Sequence, residues 1–183
     1  LLLGNLPPRA GAVRLRGRDA RAMAAKDRAR LLTLVPQETH IDFGFRVRDV
    51  VELGRYAHGF HVPAEGPDPV EQALDLARLR SLEDRLVSEL SGGERLRVHL
   101  GRALAQDTPI LMLDEPTANL DPKHQLGVMD LLRHLADEGR AVLASLHDLG
   151  LAARVCDRVL LLDDGRVSAA GPPEEVLTRA ALA

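Results

Sequence analysis

Four apolar residues in a row, at positions 110–113, lead directly into two acids, Asp114 and Glu115. Because apolar and polar residues do not alternate in this run, it predicts a strand buried on both faces, as in a parallel sheet covered by helices. Open α/β sheets bind ligands beyond the carboxyl ends of their strands. There Asp114 suits a magnesium ion or a water in its shell, and Glu115 suits polarisation of an attacking water. The alternative is a strand that ends in two solvated acids before Pro116.

The rest of the chain alternates short apolar runs with longer segments of helical period. This alternation predicts an α/β fold with a largely parallel sheet. Predicted strands cover residues 12–15, 31–35, 110–114, 141–146, 158–162 and 166–170, and predicted helices cover residues 18–30, 47–56, 68–79, 93–106, 122–138 and 149–155. Glycines and prolines mark residues 57–67 as a loop. The segments at 47–56 and 68–79 suggest a small helical subdomain, approximately residues 47–92, within one domain that covers 1–183.

Composition narrows the classes of function. The chain has 183 residues, of which 45% are hydrophobic, and this is enough for a substantial core. Its net charge of −3 leaves no broad basic surface, so no nucleic-acid partner is expected. Cys156 is the only cysteine, which excludes an internal disulfide and fits a reducing, cytosolic setting. Apolar runs such as 159–162 are far shorter than the roughly 20 residues that span a bilayer, so any link to a membrane is expected through a partner.

A second informative stretch precedes the predicted helix at 93–106. It reads Leu90-Ser91-Gly92-Gly93-Glu94. Ser91 can cap the helix, and the two glycines permit close approach of a ligand to the backbone. The amides of the first turn and the helix dipole attract an anion such as a phosphate. The alternative is an ordinary serine-glycine helix cap without a ligand.

Two further polar residues follow predicted strands. His147 comes directly after the strand at 141–146, and Gln37 follows the strand at 31–35 and Pro36. An imidazole at the rim of the sheet can hydrogen-bond a terminal phosphate, and an amide can contact metal-bound water. Taken singly, His147 is as readily a surface histidine, and Gln37 is a weak signal.

The order of these residues resembles the ATP-binding subunit of ABC transporters over the whole chain. Pro36-Gln37 is similar to the Q-loop, residues 90–94 to the signature motif, residues 110–116 to Walker B with its catalytic glutamate, Asn119-Leu120-Asp121 to the D-loop, and His147 to the switch histidine. The resemblance implies a P-loop NTPase-like (RecA-like) α/β fold with a largely parallel sheet and a helical subdomain that carries the signature.

The resemblance also implies a site. ATP and Mg²⁺ are the expected cofactors of an ATPase, whose subunits form a head-to-tail homodimer or pair with a second ABC ATPase subunit. The signature residues of one subunit then close over ATP held by the other. The residues implied are Glu115, His147 and Gln37 for catalysis, Ser91, Gly92, Gly93, Asp114 and Asp121 for ATP, and Gln37 and Asp114 for the metal.

A closer similarity is to the subfamily that energises import of iron-siderophores, haem and cobalamin. It is carried by residues 47–58, 149–157 and 171–177. For such importers the resemblance implies a membrane permease that docks near residues 38–60, an external substrate-binding protein that acts indirectly, and a place at the cytoplasmic face of the bacterial inner membrane. His58 and His61 lie in the Gly/Pro loop at 57–67 and are interpreted as solvated rather than as metal or haem ligands.

The chain also departs from the family pattern. No G-x-x-x-x-G-K-[ST] phosphate loop occurs in it, Leu96 and Gly150 stand where glutamine and asparagine are frequent, and Tyr56 is in the wrong region to stack on adenine. We therefore expect an N-terminally truncated subunit, which lacks the Walker A region and by itself neither holds ATP tightly nor hydrolyses it. The alternatives are a non-transport ABC ATPase, although no coiled-coil insertion or second ATPase half is visible, and an inactive relic.

Overall fold

The computed structural model describes residues 3–4, 6–37, 44–60, 66–118 and 120–178. Strands and helices alternate along most of this length. The strands are β1 (Arg14–Leu15), β2 (Arg18–Asp19), β3 (Leu32–Val35), β4 (Ile110–Asp114), β5 (Ala141–Ser145), β6 (Val159–Asp163) and β7 (Arg166–Gly171). The α-helices are α1 (Ala25–Ala29), α2 (Val47–Glu52), α3 (Pro69–Leu76), α4 (Gly92–Ala105), α5 (Pro122–Asp137), α6 (Leu149–Val155) and α7 (Pro173–Val176).

The strands β3, β4 and β5 form a parallel sheet with β4 in the middle. The register pairs Val35 with Leu113 and Asp114 with Ser145, so the carboxyl ends of all three strands lie at one rim. This sheet confirms the predicted α/β class. Two antiparallel hairpins, β1–β2 and β6–β7, accompany it.

The two faces of β4 are covered unequally. Leu111 and Leu113 are buried in the main core, whereas Ile110 and Met112 are only half-buried. These two pack against a smaller cluster that includes Leu15 and Met23. The uninterrupted apolar run therefore predicted the strand correctly, but full burial holds for one face only.

The main core lies between the sheet and the helices α2, α3, α4 and α5. Val47, Val50 and Val51 of α2 are buried, as expected from their spacing on one helical stripe. Helix α4 packs against α2, α3 and β3 and so links these helices to the sheet. This packing is compatible with the subdomain expected at residues 47–92, whose boundaries stay a prediction, as does the single domain over 1–183.

The segment 18–30 does not form the expected helix. Strand β2 is followed by a short 3₁₀ turn, and only α1 is α-helical. The Asp19 carboxylate accepts a hydrogen bond from the Arg21 amide and starts the turn, and Met23 then adopts an extended conformation and is buried. Local side-chain bonds of this kind compete with helix formation. No helix among the described residues has the length and apolar composition needed to cross a membrane.

Candidate functional site

The rim of the parallel sheet collects polar residues from three strands. Gln37 follows β3, Asp114 ends β4 and Glu115 follows it, and Ser145 ends β5 two residues before His147. Parallel pairing places the three carboxyl ends side by side, so residues 78 and 32 positions away from Glu115 come into contact with it. This rim is where open α/β sheets hold their ligands.

The Glu115 carboxylate lies between an amide and an imidazole. Gln37 Nε2 donates to Glu115 Oε2 at 2.6 Å, and His147 Nε2 is 2.6 Å from Glu115 Oε1. The Glu115 side chain is 23% exposed and that of His147 is 84% exposed, so the cluster opens to solvent. Both carboxylate oxygens are therefore oriented by neighbours while the site stays accessible to a water and a phosphate.

Asp114 joins this group through Ser145, a residue that the sequence analysis did not select. Ser145 Oγ donates to Asp114 Oδ1 at 2.7 Å and accepts from the backbone amide of Glu115 at 2.8 Å. Ser145 is the register partner of Asp114. Its position two residues before His147 was the available signal, because alternate residues of a strand share a face.

The backbone at Glu115 is in the left-handed region, with φ of +48°. A residue with a Cβ in this conformation costs roughly 1–2 kcal/mol. The turn that follows is closed by a hydrogen bond from the Ala118 amide to the Glu115 carbonyl and is anchored by the buried Thr117. Such strain is typical of functional sites and lets the carboxylate turn away from the direction of β4.

The donor set suits a magnesium ion. Mg²⁺ binds through one or two carboxylates and keeps several waters. Asp114 is exposed and uses Oδ1 for Ser145, which leaves Oδ2 available, and Gln37 uses its amide nitrogen for Glu115, which leaves its carbonyl oxygen available. No group of three or more His, Cys, Asp or Glu side chains in the described ranges could form an all-protein metal cage. The residues present fit a magnesium ion that keeps several of its waters.

The signature residues lie at the start of α4. Ser91 and Glu94 form a reciprocal capping box: the Glu94 carboxylate accepts from the Ser91 amide at 2.8 Å and from Ser91 Oγ at 2.7 Å. These bonds, led by that from the Ser91 backbone, hold the pKa of Glu94 below its usual value. A Cβ on Gly92 would meet open space, so its backbone is accessible. Within the described part of the chain, no hydrogen bond joins these residues to the Glu115 cluster.

Asp121 is at the start of α5, near the signature helix. Its carboxylate caps α5 by accepting from the His124 amide at 3.0 Å and is 2.6 Å from His124 Nδ1. The backbone bond from His124, followed by its side-chain contact, lowers the pKa of Asp121. A Cβ on Gly93 would lie 3.5 Å from Leu120 and 4.0 Å from His124, so α4 and α5 begin side by side. Asn119 lies outside the described residues.

The expected permease-docking region, residues 38–60, is described at residues 44–60. Its residues 38–43 lie outside the described ranges, and so does His61, which follows it. Tyr56 and Phe60 are 75% and 52% exposed and make an edge-to-face contact with centroids 6.1 Å apart. Next to Tyr56 is a cavity of about 510 Å³, also lined by Pro36, Leu53 and Arg102.

The interpretation of His58 as solvated is wrong. His58 is half-buried, and its Nε2 lies 3.0 Å from the Gln106 carbonyl oxygen. Burial lowers the pKa of His58. The 3₁₀ segment Leu53–His58 continues from α2 and packs against α4. The glycines and prolines of the neighbouring loop indicated an exposed loop, and this tertiary contact could not be predicted from them.

Comparison with known proteins shows the family of this chain. The family model described as ABC transporter matches residues 1–118. The hemin import ATP-binding protein HmuV of Pseudomonas entomophila is 49% identical over 186 residues, which cover 99% of this chain and 72% of that protein. The cobalamin import ATP-binding protein BtuD of Halobacterium salinarum is 45% identical over 177 residues, which cover 96% of this chain and 44% of that protein. The chain belongs to the ABC transporter family of ATP-binding subunits, which hydrolyse ATP.

Solved structures show the same fold. CbiO1 of Clostridium perfringens, part of the ABC transporter complex cbiONQ, matches 99% of this chain with a TM-score of 0.81 and 26% identity, over 73% of its own length. The dimeric structure of MJ0796, a bacterial ABC transporter cassette, matches 93% of this chain with a TM-score of 0.79 and 25% identity, over 77% of its own length. The predicted P-loop NTPase-like fold is therefore confirmed.

Proposed function

We propose that this protein is the subunit that binds and hydrolyses ATP to power import of an iron chelate, haem or a cobalamin-type compound through a membrane permease. The observation that carries the ATPase part is the Glu115 carboxylate, placed between Gln37 and His147 at one rim of the sheet. The printed names of the hemin and cobalamin import proteins support the import part.

In this proposal Glu115 accepts a proton from the water that attacks the γ-phosphate, and His147 donates a hydrogen bond to that phosphate. Gln37 orients Glu115 and the water. A general base has to lie within hydrogen-bond reach of the water, and a partly exposed carboxylate fixed by two neighbours meets this requirement. When bound, Mg²⁺ held by Asp114 and Gln37 would neutralise charge on the phosphates.

The signature residues Ser91, Gly92 and Gly93 are proposed to bind ATP held by a second subunit, together with Asp121. Supporting this, Gly92 faces open space and Asp121 is exposed. In the chain as described, none of these residues is hydrogen-bonded to the Glu115 cluster. A head-to-tail dimer, homodimeric or with a paired ABC ATPase, brings such separated half-sites together.

The docking surface proposed for the permease covers residues 38–60. Its described part exposes Tyr56 and Phe60, and exposed aromatic residues are enriched at protein interfaces. Docked on the permease in this way, the subunit would lie at the cytoplasmic face of the inner membrane. An external substrate-binding protein would act on it through the permease.

ATP hydrolysis by the full gene product, purified with its permease, tests the proposal. Residues 1–183 alone contain no phosphate loop and are expected neither to hold ATP tightly nor to hydrolyse it. Glu115→Gln keeps the shape of the side chain but removes the base, so we expect hydrolysis to fall by about 10²-fold or more. Glu174→Gln changes an exposed acid on α7 and is expected to leave the rate unchanged.

Uptake of hemin, a ferric siderophore and cobalamin into vesicles then separates the substrates. Uptake that requires ATP inside the vesicle and is lost in Glu115→Gln supports an importer. The importer proposal is contradicted if the rate of hydrolysis is the same with and without the permease and none of the three compounds is taken up in an ATP-dependent manner. Equal activity of Glu115→Gln and the wild type contradicts the assignment of the base.

A further inference from the structure

One hydroxyl connects the two acids that end β4. Ser145 Oγ lies 2.7 Å from Asp114 Oδ1 and 2.8 Å from the Glu115 amide nitrogen. The same group thus holds the side chain of one acid and the main chain of the next. No other hydrogen bond within the described residues engages either of these two atoms.

The direction of both hydrogen bonds follows from the chemistry of the groups. The Glu115 amide can only donate, so the Ser145 oxygen accepts from it. The hydroxyl proton is then free for Asp114, whose ionised carboxylate can only accept. Ser145 therefore uses donor and acceptor together, and a side chain without a hydroxyl would lose both contacts at once.

The conformation of Glu115 makes the hydrogen bond from its amide to Ser145 important. At φ of +48° the backbone has left the extended path of β4, and a non-glycine residue keeps this conformation only when its surroundings hold it. The bond from the amide to Ser145 fixes the start of the turn, and the bond from the Ala118 amide to the Glu115 carbonyl fixes its end. The direction of the Glu115 side chain depends on this turn.

We infer that Ser145 is a positioning residue of the ATPase site: its hydroxyl orients the Glu115 carboxylate through the backbone and the Asp114 carboxylate directly. This inference rests on the proposed function. Among the described residues, no hydrogen bond joins Ser145 to Gln37 or His147, which bond the Glu115 carboxylate itself. Loss of the hydroxyl should therefore impair the chemical step rather than the binding of nucleotide.

A matched pair of variants tests the hydroxyl alone. Thr and Val have nearly the same shape and similar preference for a strand, so Ser145→Thr and Ser145→Val differ mainly in the hydroxyl group. In the full gene product with its permease, we expect Ser145→Val to lower kcat for ATP by about 10- to 100-fold with little change in KM, and to raise the Mg²⁺ concentration for half-maximal rate. Ser145→Thr should retain most of the activity.

Two controls separate positioning from a general structural effect. Ser168→Val removes a hydroxyl from the exposed strand β7, where it donates only to the Leu161 carbonyl, and should leave kcat unchanged. Thermal unfolding of both variants should stay cooperative, and the midpoint of Ser145→Val should be lower than that of Ser145→Thr only by the few degrees expected for two lost hydrogen bonds. The values of kcat are therefore compared well below both midpoints, and equal kcat for these two variants or a loss confined to KM would overturn the inference.

Hydrogen exchange at the Glu115 amide distinguishes failure of the inference from failure of the proposed function. We expect this amide to be protected in the wild type and in Ser145→Thr but to exchange faster in Ser145→Val. If the wild type hydrolyses no ATP, the proposed function fails, and this exchange pattern still decides whether Ser145 holds the turn. If the wild type is active and the three proteins exchange equally, the inference alone fails.

Discussion

At the level of single residues, His99 is a buried ionisable group whose ring has no hydrogen-bond partner among the described residues. It lies on α4 and is 2% exposed, and neither ring nitrogen has a hydrogen bond among the described residues. Burial, with a smaller contribution from Arg102, lowers the pKa of His99 to about 4. The unfolded chain, with an ordinary histidine pKa of about 6.5, binds more protons between these values, so stability must fall as the pH drops through this window.

We predict that His99→Leu makes the protein less sensitive to acid. The wild type should lose up to about 3 kcal/mol of unfolding free energy between pH 6.5 and pH 4 through this group, and the variant should not. Urea unfolding at a series of pH values measures the difference. His134→Leu, at an exposed position on α5, is the control and should keep the wild-type slope. An unchanged slope in His99→Leu would mean that His99 is not neutral in the folded protein.

Some of the site residues could be predicted from the sequence and one could not. Gln37, Glu115 and His147 were predicted to meet because each follows a strand of one parallel sheet, and their contacts agree with this geometry. Their roles stay predictions, as do those of Ser91, Gly92, Gly93, Asp114 and Asp121. The position of Ser145 two residues before His147 was a signal for its location only, because its role depends on the β4–β5 register and on the left-handed backbone at Glu115. Neither feature leaves a local pattern.

At the scale of elements, amphipathic helices were predictable and short irregular ones were not. Helices α4 and α5 begin and end within a residue of the predicted positions because capping residues Ser91 and Asp121 precede an apolar stripe. The segment at 18–30 has good helix formers but instead turns at Asp19, where a side-chain bond and the buried Met23 decide the path. Tertiary contacts overrode the local propensity there.

The contact between the 3₁₀ segment Leu53–His58 and α4 depends on Gly54. A Cβ at this position would overlap the carbonyl oxygen of Arg102 and approach the Ala105 Cβ to 3.1 Å. We predict that Gly54→Ala destabilises the protein by about 1–3 kcal/mol, because backbone on both sides would have to move. Gly127→Ala, on the exposed face of α5 with nothing within 4 Å, should instead stabilise by roughly 0.5–1 kcal/mol. Chemical denaturation of both variants measures the contrast, and similar shifts in both would contradict a close approach at Gly54.

Considered as one body, the molecule exposes apolar side chains at the free edge of β5 and on the β6–β7 hairpin. Strand β5 pairs with β4 on one side and with no strand of the described residues on the other, and its Leu143 is 52% exposed. In the β6–β7 hairpin, Leu160, Leu162 and Val167 are more than half exposed. Unpaired strand edges and exposed apolar patches promote association between molecules. The net charge of −3 provides little repulsion against it.

We therefore predict that the polypeptide of residues 1–183 self-associates, and that the β6–β7 hairpin is responsible. Leu160→Lys combined with Leu162→Lys places two charges on the apolar face and should shift the polypeptide towards the monomer in sedimentation velocity. This change brings the net charge closer to zero, so a gain in monomer cannot come from general repulsion. Leu6→Lys with Leu126→Lys makes the same charge change at exposed leucines outside the strands and should leave association unaltered. A wild-type polypeptide that stays monomeric at high concentration, or equal effects of the two double variants, would show that this face does not drive association.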